Sequence, residues 1–221
     1  MVTRRSTSFI IFLIIVISTH IFCDFDKVSF LVCTKDHHND TYGRASATSD
    51  VLLYPRNNIA KKQVKSCLEF DVFNREIQIL SKLRDFNHTP KILYTDYENH
   101  TIYMEYAGKQ LTKDNIPSNW KIQIKEIIDG LKKRGVQHND IKNAELLVKN
   151  GTIMLVDYGW TSEYEKKIPA NWPCRLGEDC KAPWGLDDRY AITRAILVAL
   201  GNGKEPEQNA IIKEMTTMFE S

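Results

Sequence analysis

The 221-residue sequence lacks a strong charge of either sign, internal repeats and low-complexity tracts. Its formal net charge is only +2 and the lysines are scattered, so neither nucleic acid nor an anionic membrane is expected as its main partner. With 43% hydrophobic and 26% charged residues, the chain can bury an ordinary globular core. We therefore expect one ordered domain, possibly of two lobes, and seek its function in local motifs.

Long apolar runs are also absent, except at the N-terminus. Arg4 and Arg5 precede an apolar run over residues 9–17, and a second short run ends at Cys23. This pattern predicts a signal peptide over residues 1–23, because the run is short for a membrane span of about twenty residues. An uncleaved signal anchor is the alternative, and only that case would tie the chain to a membrane. Both place the chain in the secretory pathway: secreted, luminal in the ER or Golgi, or anchored as a type II membrane protein.

Asn-x-Thr sequons are more frequent than composition alone would give. They lie in predicted loops, which favours N-glycosylation in the secretory pathway. The sequon asparagines are Asn39, Asn87, Asn99 and Asn150.

Cysteines are few. If Cys23 leaves with the leader, an even set remains: Cys33, Cys67, Cys174 and Cys180. The close spacing of the last two favours a Cys174–Cys180 disulfide. The alternative is a set of free buried thiols in a cytosolic protein.

The segment from residue 50 to residue 106 predicts a small antiparallel sheet with one helix. "DVLLYPR" and "NNIAKKQV" indicate two strands around a turn at residues 55–58, and "KILYTDYENHTIYMEY" indicates two more around residues 98–100. Between them, "FDVFNREIQILSKLRDF" has helical periodicity. Its apolar residues are Val72, Phe73, Ile77, Leu80 and Leu83.

After Gly108 the pattern becomes mostly helical. "NWKIQIKEIIDGLKKRG" predicts a helix that ends at Gly135, and two further helices are predicted over residues 187–203 and 207–221. "AELLVKNGTIMLVDYGW" predicts a hairpin around Asn150-Gly151. The predicted apolar face of the first helix contains Ile122, Ile124, Ile127, Ile128 and Leu131.

This hairpin would bring two carboxylates to one end, since Asp140 precedes it and Asp157 follows it. Two carboxylates so placed can divide the work of phosphoryl transfer. One orients the attacking hydroxyl and the other holds Mg²⁺ against nucleotide phosphates.

"HNDIK" at residues 138–142, followed by strand, turn, strand and "DYG" at residues 157–159, resembles the protein-kinase-like superfamily. The order of matching segments holds across most of residues 41–200. The resemblance implies that Asp140 is the catalytic base and that Lys142 reaches the transferring phosphate. It also implies that His138 organises the loop and that Asp157 binds metal.

The resemblance extends to the nucleotide site. "NIAKK" looks like the strand whose lysine pairs with phosphates; alternation selects Lys62, while Lys61 stays possible. "NREIQIL" looks like the helix whose Glu76 pairs with that lysine. The same resemblance implies a glycine-rich phosphate loop, of which this sequence keeps only Gly43.

"YMEYAG" resembles the hinge of this superfamily. It would put Met104 at the back of an adenine pocket and the backbone from Glu105 to Ala107 along its edge. Asp188 resembles the aspartate that braces the catalytic loop from a following helix.

Several positions depart from the family pattern. Asn139 replaces the arginine beside the catalytic aspartate, which removes the usual partner of a phosphorylated activation segment. Tyr158 replaces a phenylalanine whose packing an aromatic can preserve. Glu145 replaces the asparagine that contributes an oxygen to a second metal, and a carboxylate can also bind Mg²⁺ or Mn²⁺.

Together these features imply an α+β, two-lobed kinase-like fold, with an N-lobe over residues 24–107 and a shortened C-lobe over residues 108–221. The implied function is an ATP- and Mg²⁺- or Mn²⁺-dependent phosphotransferase of the secretory pathway, of the Ser/Thr protein-kinase type. A glycan or small-molecule acceptor is an alternative. A catalytically inactive, kinase-like binding module is another, and an accidental resemblance in a secreted α+β domain is a third.

Overall fold

A computed structural model describes residues 35–36, 41–45, 49–65, 72–164, 187–201 and 205–220. The predicted signal peptide, the Cys174–Cys180 disulfide and the Asn39 sequon lie outside these residues. No helix within the described ranges is long and apolar enough to cross a bilayer. The helices are α1 (Val72–Lys82), α2 (Trp120–Lys133), α3 (Asp188–Ala199) and α4 (Glu205–Glu220). The strands are β1 (Lys35–Asp36), β2 (Thr41–Ala45), β3 (Ser49–Tyr54), β4 (Ile59–Val64), β5 (Ile92–Asp96), β6 (Thr101–Glu105), β7 (Lys109–Gln110), β8 (Val136–Gln137), β9 (Leu146–Lys149), β10 (Thr152–Leu155) and β11 (Ser162–Glu163).

The N-terminal part is an antiparallel sheet in the order β1-β2-β3-β4-β6-β5, of which the alternating segments predict β3, β4, β5 and β6. Side chains on a strand alternate between the two faces. On the central strand β4, Ala60, Lys62 and Val64 are buried, whereas Gln63 is exposed on the opposite face. The buried face shares an apolar core with Val72 of α1. The sheet thus directs Lys62 inward toward a helix.

The hairpin β9–β10 forms where the sequence predicts it. Asn150 (φ 51°) and Gly151 (φ 78°) both adopt left-handed backbone conformations, as a two-residue type I′ turn requires. The amide of Leu155 donates to the carbonyl oxygen of His88 (2.8 Å), and Leu146 pairs with Leu155 at the open end. The hairpin therefore connects the helical part to the segment that follows α1.

One expectation for α2 is wrong. Ile122 was expected on the buried face but is 61% exposed, whereas Gln123 is only 5% exposed. Gln123 Oε1 accepts a hydrogen bond from the amide of Ile153 (2.7 Å), and its Nε2 donates to the carbonyl oxygen of Gly151 (2.9 Å). The polar residue is buried because it anchors the hairpin to α2, a requirement that apolar periodicity does not reveal.

Candidate functional site

A buried lysine lies between two carboxylates from distant parts of the chain. Lys62 Nζ lies 2.7 Å from Oε2 of Glu76 on α1 and 2.7 Å from Oδ1 of Asp157, which follows β10. Lys62 is 5% exposed and Glu76 is 1% exposed. Lys61 faces the other side of the sheet, where its Nζ lies 6.0 Å from the centroid of the Tyr103 ring. The structure therefore brings together Lys62, and not Lys61, with Glu76 and Asp157.

The charges in this cluster stabilise one another. Burial alone lowers the pKa of Lys62, but Asp157 and Glu76 outweigh it and raise that pKa above its usual value. Burial alone raises the pKa of Asp157, but Lys62 outweighs it and brings that pKa down to about 2. Lys62 is therefore positively charged and Asp157 negatively charged at neutral pH. Burial, opposed by Lys62, raises the pKa of Glu76.

Helix α1 also holds the backbone of the DYG segment. The amide of Tyr158 donates to Glu76 Oε1 (3.3 Å), and the Arg75 guanidinium donates to the carbonyl oxygen of Gly159 (3.2 Å). A Cβ atom on Gly159 would lie 2.5 Å from Cγ1 of Val72, so the close approach of the helix requires glycine. Asp157 has a left-handed backbone (φ 69°), which directs it toward Lys62.

Tyr158 is fully buried and its hydroxyl has a partner. The hydroxyl lies 2.9 Å from Thr89 Oγ1, and its ring packs edge-on against the ring of His138 with centroids 4.9 Å apart. A buried tyrosine usually needs such a partner, because an unpaired buried hydroxyl destabilises the fold. The extra oxygen relative to phenylalanine is thus accommodated without opening the site.

Hydrogen bonds to Asp188 of α3 hold the loop that contains Asp140. The two carboxylate oxygens of Asp188 accept hydrogen bonds from the amides of His138 (2.6 Å) and Asn139 (2.8 Å). His138 Nε2 lies 3.1 Å from the carbonyl oxygen of Val156. Burial lowers the pKa of His138 to about 4, so its ring is neutral at physiological pH and serves as a structural contact.

Asp140 and Lys142 form an ion pair within this loop. Lys142 Nζ lies 2.7 Å from Oδ1 and 2.9 Å from Oδ2 of Asp140. Asp140 is 5% exposed, whereas the Lys142 side chain is 36% exposed. The lysine therefore reaches from the buried carboxylate toward solvent.

Glu145 lies near the same charges. It ends a 3₁₀ turn (Asn143–Glu145), is 4% exposed, and its carbonyl oxygen accepts a hydrogen bond from the amide of Val156 (3.1 Å). Burial alone lowers the pKa of Lys142, but Asp140, then Glu145, and also Asp157 raise it. The negative charges of these three carboxylates thus all stabilise the protonated form of Lys142.

The carboxylates of Asp157 and Glu145 are the kind of ligand that a small divalent cation takes. Among the described residues, no group of three or more His, Cys, Asp or Glu side chains forms a metal cage. Mg²⁺ usually binds through one or two carboxylates together with substrate phosphates and water, so it does not require such a cage. Asp157 Oδ1 binds Lys62, while Oδ2 makes no hydrogen bond to any other described residue. Asp157 therefore keeps one carboxylate oxygen available to Mg²⁺ or Mn²⁺, and the part of Glu145 as a second ligand stays a prediction.

The segment resembling a hinge follows β6. Met104 and Ala107 are buried at 7% and 4% exposure. The amides of Glu105 and Tyr106 donate to the carbonyl oxygens of Lys91 (2.9 Å) and Asn58 (3.0 Å). Within the described ranges, no hydrogen bond uses the amide or carbonyl group of Ala107, which leaves one donor and one acceptor for the edge of a base.

Gly43 lies on β2, where it pairs with Leu52 of β3. The ion pairs of Lys62 with Glu76 and Asp157 do not involve Gly43, so its predicted role at the phosphates stays a prediction.

Two contributors to the site were not predicted. Arg75 contacts the DYG backbone, and the side chain of Asn139 donates hydrogen bonds to the segment that follows it. The Arg75 contact joins residues 84 positions apart and has no local signal. The Asn139 contacts depend on tertiary structure and have no local signal.

No protein-family model matches the chain. Among curated proteins, it is similar to an Aurora kinase from Eremothecium gossypii, with 29% identity over 112 residues, which covers 44% of this chain. The aligned region spans 30% of the length of that kinase. The similarity points to a protein-kinase-like relationship, and the α+β architecture with its antiparallel sheet is compatible with such a fold.

Proposed function

We propose that the protein is an ATP- and divalent-metal-dependent phosphotransferase with a two-lobed, kinase-like arrangement. The observation that carries the proposal is the placement of Lys62 between Glu76 and Asp157, beside the Asp140–Lys142 pair. Phosphoryl transfer depends mainly on positioning and on neutralising charge, and these residues can supply both. Distant similarity to a protein kinase supports the same reaction class.

Each residue has a distinct role in this proposal. Lys62 binds nucleotide phosphates and is held in position by Glu76. Asp140 accepts the proton of the attacking hydroxyl, and Lys142 contacts the transferring phosphate. Asp157 and Glu145 would hold Mg²⁺ or Mn²⁺, which when bound neutralises negative charge on the phosphates.

The adenine base would lie against Met104, with its edge on the backbone of Ala107. The free donor and acceptor of Ala107 support this orientation, since base recognition needs groups that the fold has not already paired. The acceptor is a hydroxyl group of a protein, with a glycan or small-molecule hydroxyl as the alternative.

The test is nucleotide binding followed by transfer. ATP with Mg²⁺ or Mn²⁺ should raise the melting temperature, and Asp157→Ala should abolish the metal-dependent part of that rise. Asp129→Ala, a change on the exposed face of α2, is the control and should leave the rise intact. Transfer from labelled ATP to the protein or to a luminal extract should disappear in Asp140→Asn.

The second candidate is a non-catalytic binding module. It is favoured by the carboxylate at position 145, which contributes to the raised pKa of Lys142 and would oppose phosphate binding there if no cation were held. No thermal shift with either metal would support the module. Nucleotide binding without transfer would do so as well.

We further propose a location in the secretory pathway. The protein has exposed sequon asparagines that can accept a glycan: Asn87, Asn99 and Asn150. Enzymatic deglycosylation of protein from a secretory host should increase its electrophoretic mobility, and unchanged mobility would contradict the proposal.

A further inference from the structure

Asn139, directly before Asp140, connects segments that are distant in sequence. It is 2% exposed and has a left-handed backbone (φ 68°), a conformation that asparagine tolerates better than most residues. Its amide donates to Asp188 Oδ1 (2.8 Å). Its side-chain Nδ2 donates to the carbonyl oxygen of Trp160 and to Oγ of Ser162, both at 2.9 Å. The side chain is thus committed to the segment after the DYG motif.

Residues 160–164 are held against the catalytic loop by further hydrogen bonds. Strand β11 pairs with β8, with Ser162 opposite Gln137. The amide of Tyr164 donates to the carbonyl oxygen of Gly135 (3.1 Å). The Tyr164 ring also lies near Lys132, whose Nζ is 5.6 Å from the ring centroid. This segment therefore continues the loop structure that positions Asp140.

The chemistry of the contact is neutral. Both Nδ2 hydrogens of Asn139 have uncharged acceptors, a carbonyl and a hydroxyl oxygen. A cation at this position would need an anion to balance it once buried, and a phosphate group could supply that anion. An amide needs none, because the segment itself accepts both Nδ2 hydrogens.

We propose that Asn139 is a positioning residue that fixes residues 160–164 against the loop of Asp140. The transferase then requires no phosphorylation of that segment. The inference rests on the proposed function and adds its mode of regulation. Asn139 does not touch the reacting atoms; it acts through the segment that borders them.

The decisive variant is Asn139→Asp, which keeps the size of the side chain and removes both Nδ2 donors. We expect kcat to fall at least about tenfold, since two hydrogen bonds are lost and a carboxylate is buried against the carbonyl oxygen of Trp160. The KM for ATP should stay within about twofold, because the hydrogen bonds of Asn139 go to Asp188, Trp160 and Ser162 and not to the Lys62 cluster. Ser162→Ala removes one acceptor only and should have a smaller effect. Asn115→Asp removes a similar amide-to-carbonyl bond in a remote turn, to Gln110, and should leave kcat unchanged.

A wild-type kcat in Asn139→Asp would overturn the proposal, and so would a loss of activity when the wild-type protein is treated with phosphatase. Phosphatase-treated wild-type protein should match untreated protein.

Hydrogen exchange separates this proposal from the proposed function. In Asn139→Asp, the amides of Thr161 and Tyr164 should exchange about tenfold faster than in wild type. If wild-type protein transfers no phosphate, the transferase proposal fails, and this exchange measurement still decides whether Asn139 holds the segment. Unchanged exchange rates would show that it does not.

Discussion

The two ends of the candidate site are held by different forces. At the lysine cluster, Lys62 and Glu76 form a buried ion pair, and Lys62 also pairs with the partly buried Asp157. In the loop of Asp140, backbone amides donate to Asp188 and the neutral side chain of Asn139 donates to residues 160–162. Removing one member of a buried ion pair leaves an uncompensated charge, whereas removing a neutral contact leaves at most an unpaired dipole. The lysine cluster should therefore be the more sensitive end.

The largest effect is expected from Lys62→Met. The change leaves the buried Glu76 and the partly buried Asp157 without their cation, and should lower the free energy of unfolding by about 3–5 kcal/mol. Nucleotide binding should also be lost. Lys61→Met on the opposite face of the sheet is the matched control and should change the free energy of unfolding by less than about 0.5 kcal/mol. Urea denaturation measures the free energy of unfolding of both variants. Equal losses of stability in the two would contradict the assignment of Lys62 to the site.

Asp188→Asn tests how Asp188 holds the loop of Asp140, through the pH dependence of the free energy of unfolding. Burial raises the pKa of Asp188 to about 7, against the lowering effect of the amides of His138 and Asn139, from a usual value of 3.8. The folded protein then binds this proton more tightly than the unfolded chain. Wild-type stability should consequently fall between pH 4 and pH 7, by at most about 1.4 kcal/mol per pH unit from this group.

The asparagine variant lacks that titration. The difference in free energy of unfolding, variant minus wild type, should therefore increase from pH 4 to pH 7 in parallel urea titrations. A difference that stays flat or decreases with pH would mean that the two amides keep Asp188 ionised in the folded protein.

The smallest effect is expected from Tyr158→Phe. The change removes the hydroxyl that pairs with Thr89 and should lower the free energy of unfolding by about 1 kcal/mol. Tyr94→Phe, whose parent side chain is 63% exposed, is the control and should be neutral. A loss as large as that of Lys62→Met would contradict the ranking of the two ends.

Local patterns predict the elements well here, because alternation and helical periodicity are set by the chain's own geometry. The four strands from residue 49 to residue 105, the helices and the Asn150-Gly151 hairpin lie where the sequence indicates. Alternation on β4 also selects Lys62 over Lys61.

Contacts between distant segments were beyond such patterns. Gln123 displaces Ile122 from the buried face because the hairpin needs its amide, and Asn139 is buried because residues 160–162 provide acceptors. Neither partner can be read from neighbouring residues. The family resemblance indicates most of the charged residues of the site, but it does not indicate the hydrogen bonds that Arg75, Gln123 and Asn139 make to distant segments.

The Lys62–Asp157 ion pair also has a consequence for the order in which the molecule is built. The two residues are 95 positions apart, and contacts of such separation close late because the intervening chain must first be ordered. During synthesis from the N-terminus, Lys62 and Glu76 leave the ribosome well before Asp157. A nascent chain can therefore pair its lysine with one carboxylate only, and the phosphate-binding end becomes complete only after the β9–β10 hairpin has been made.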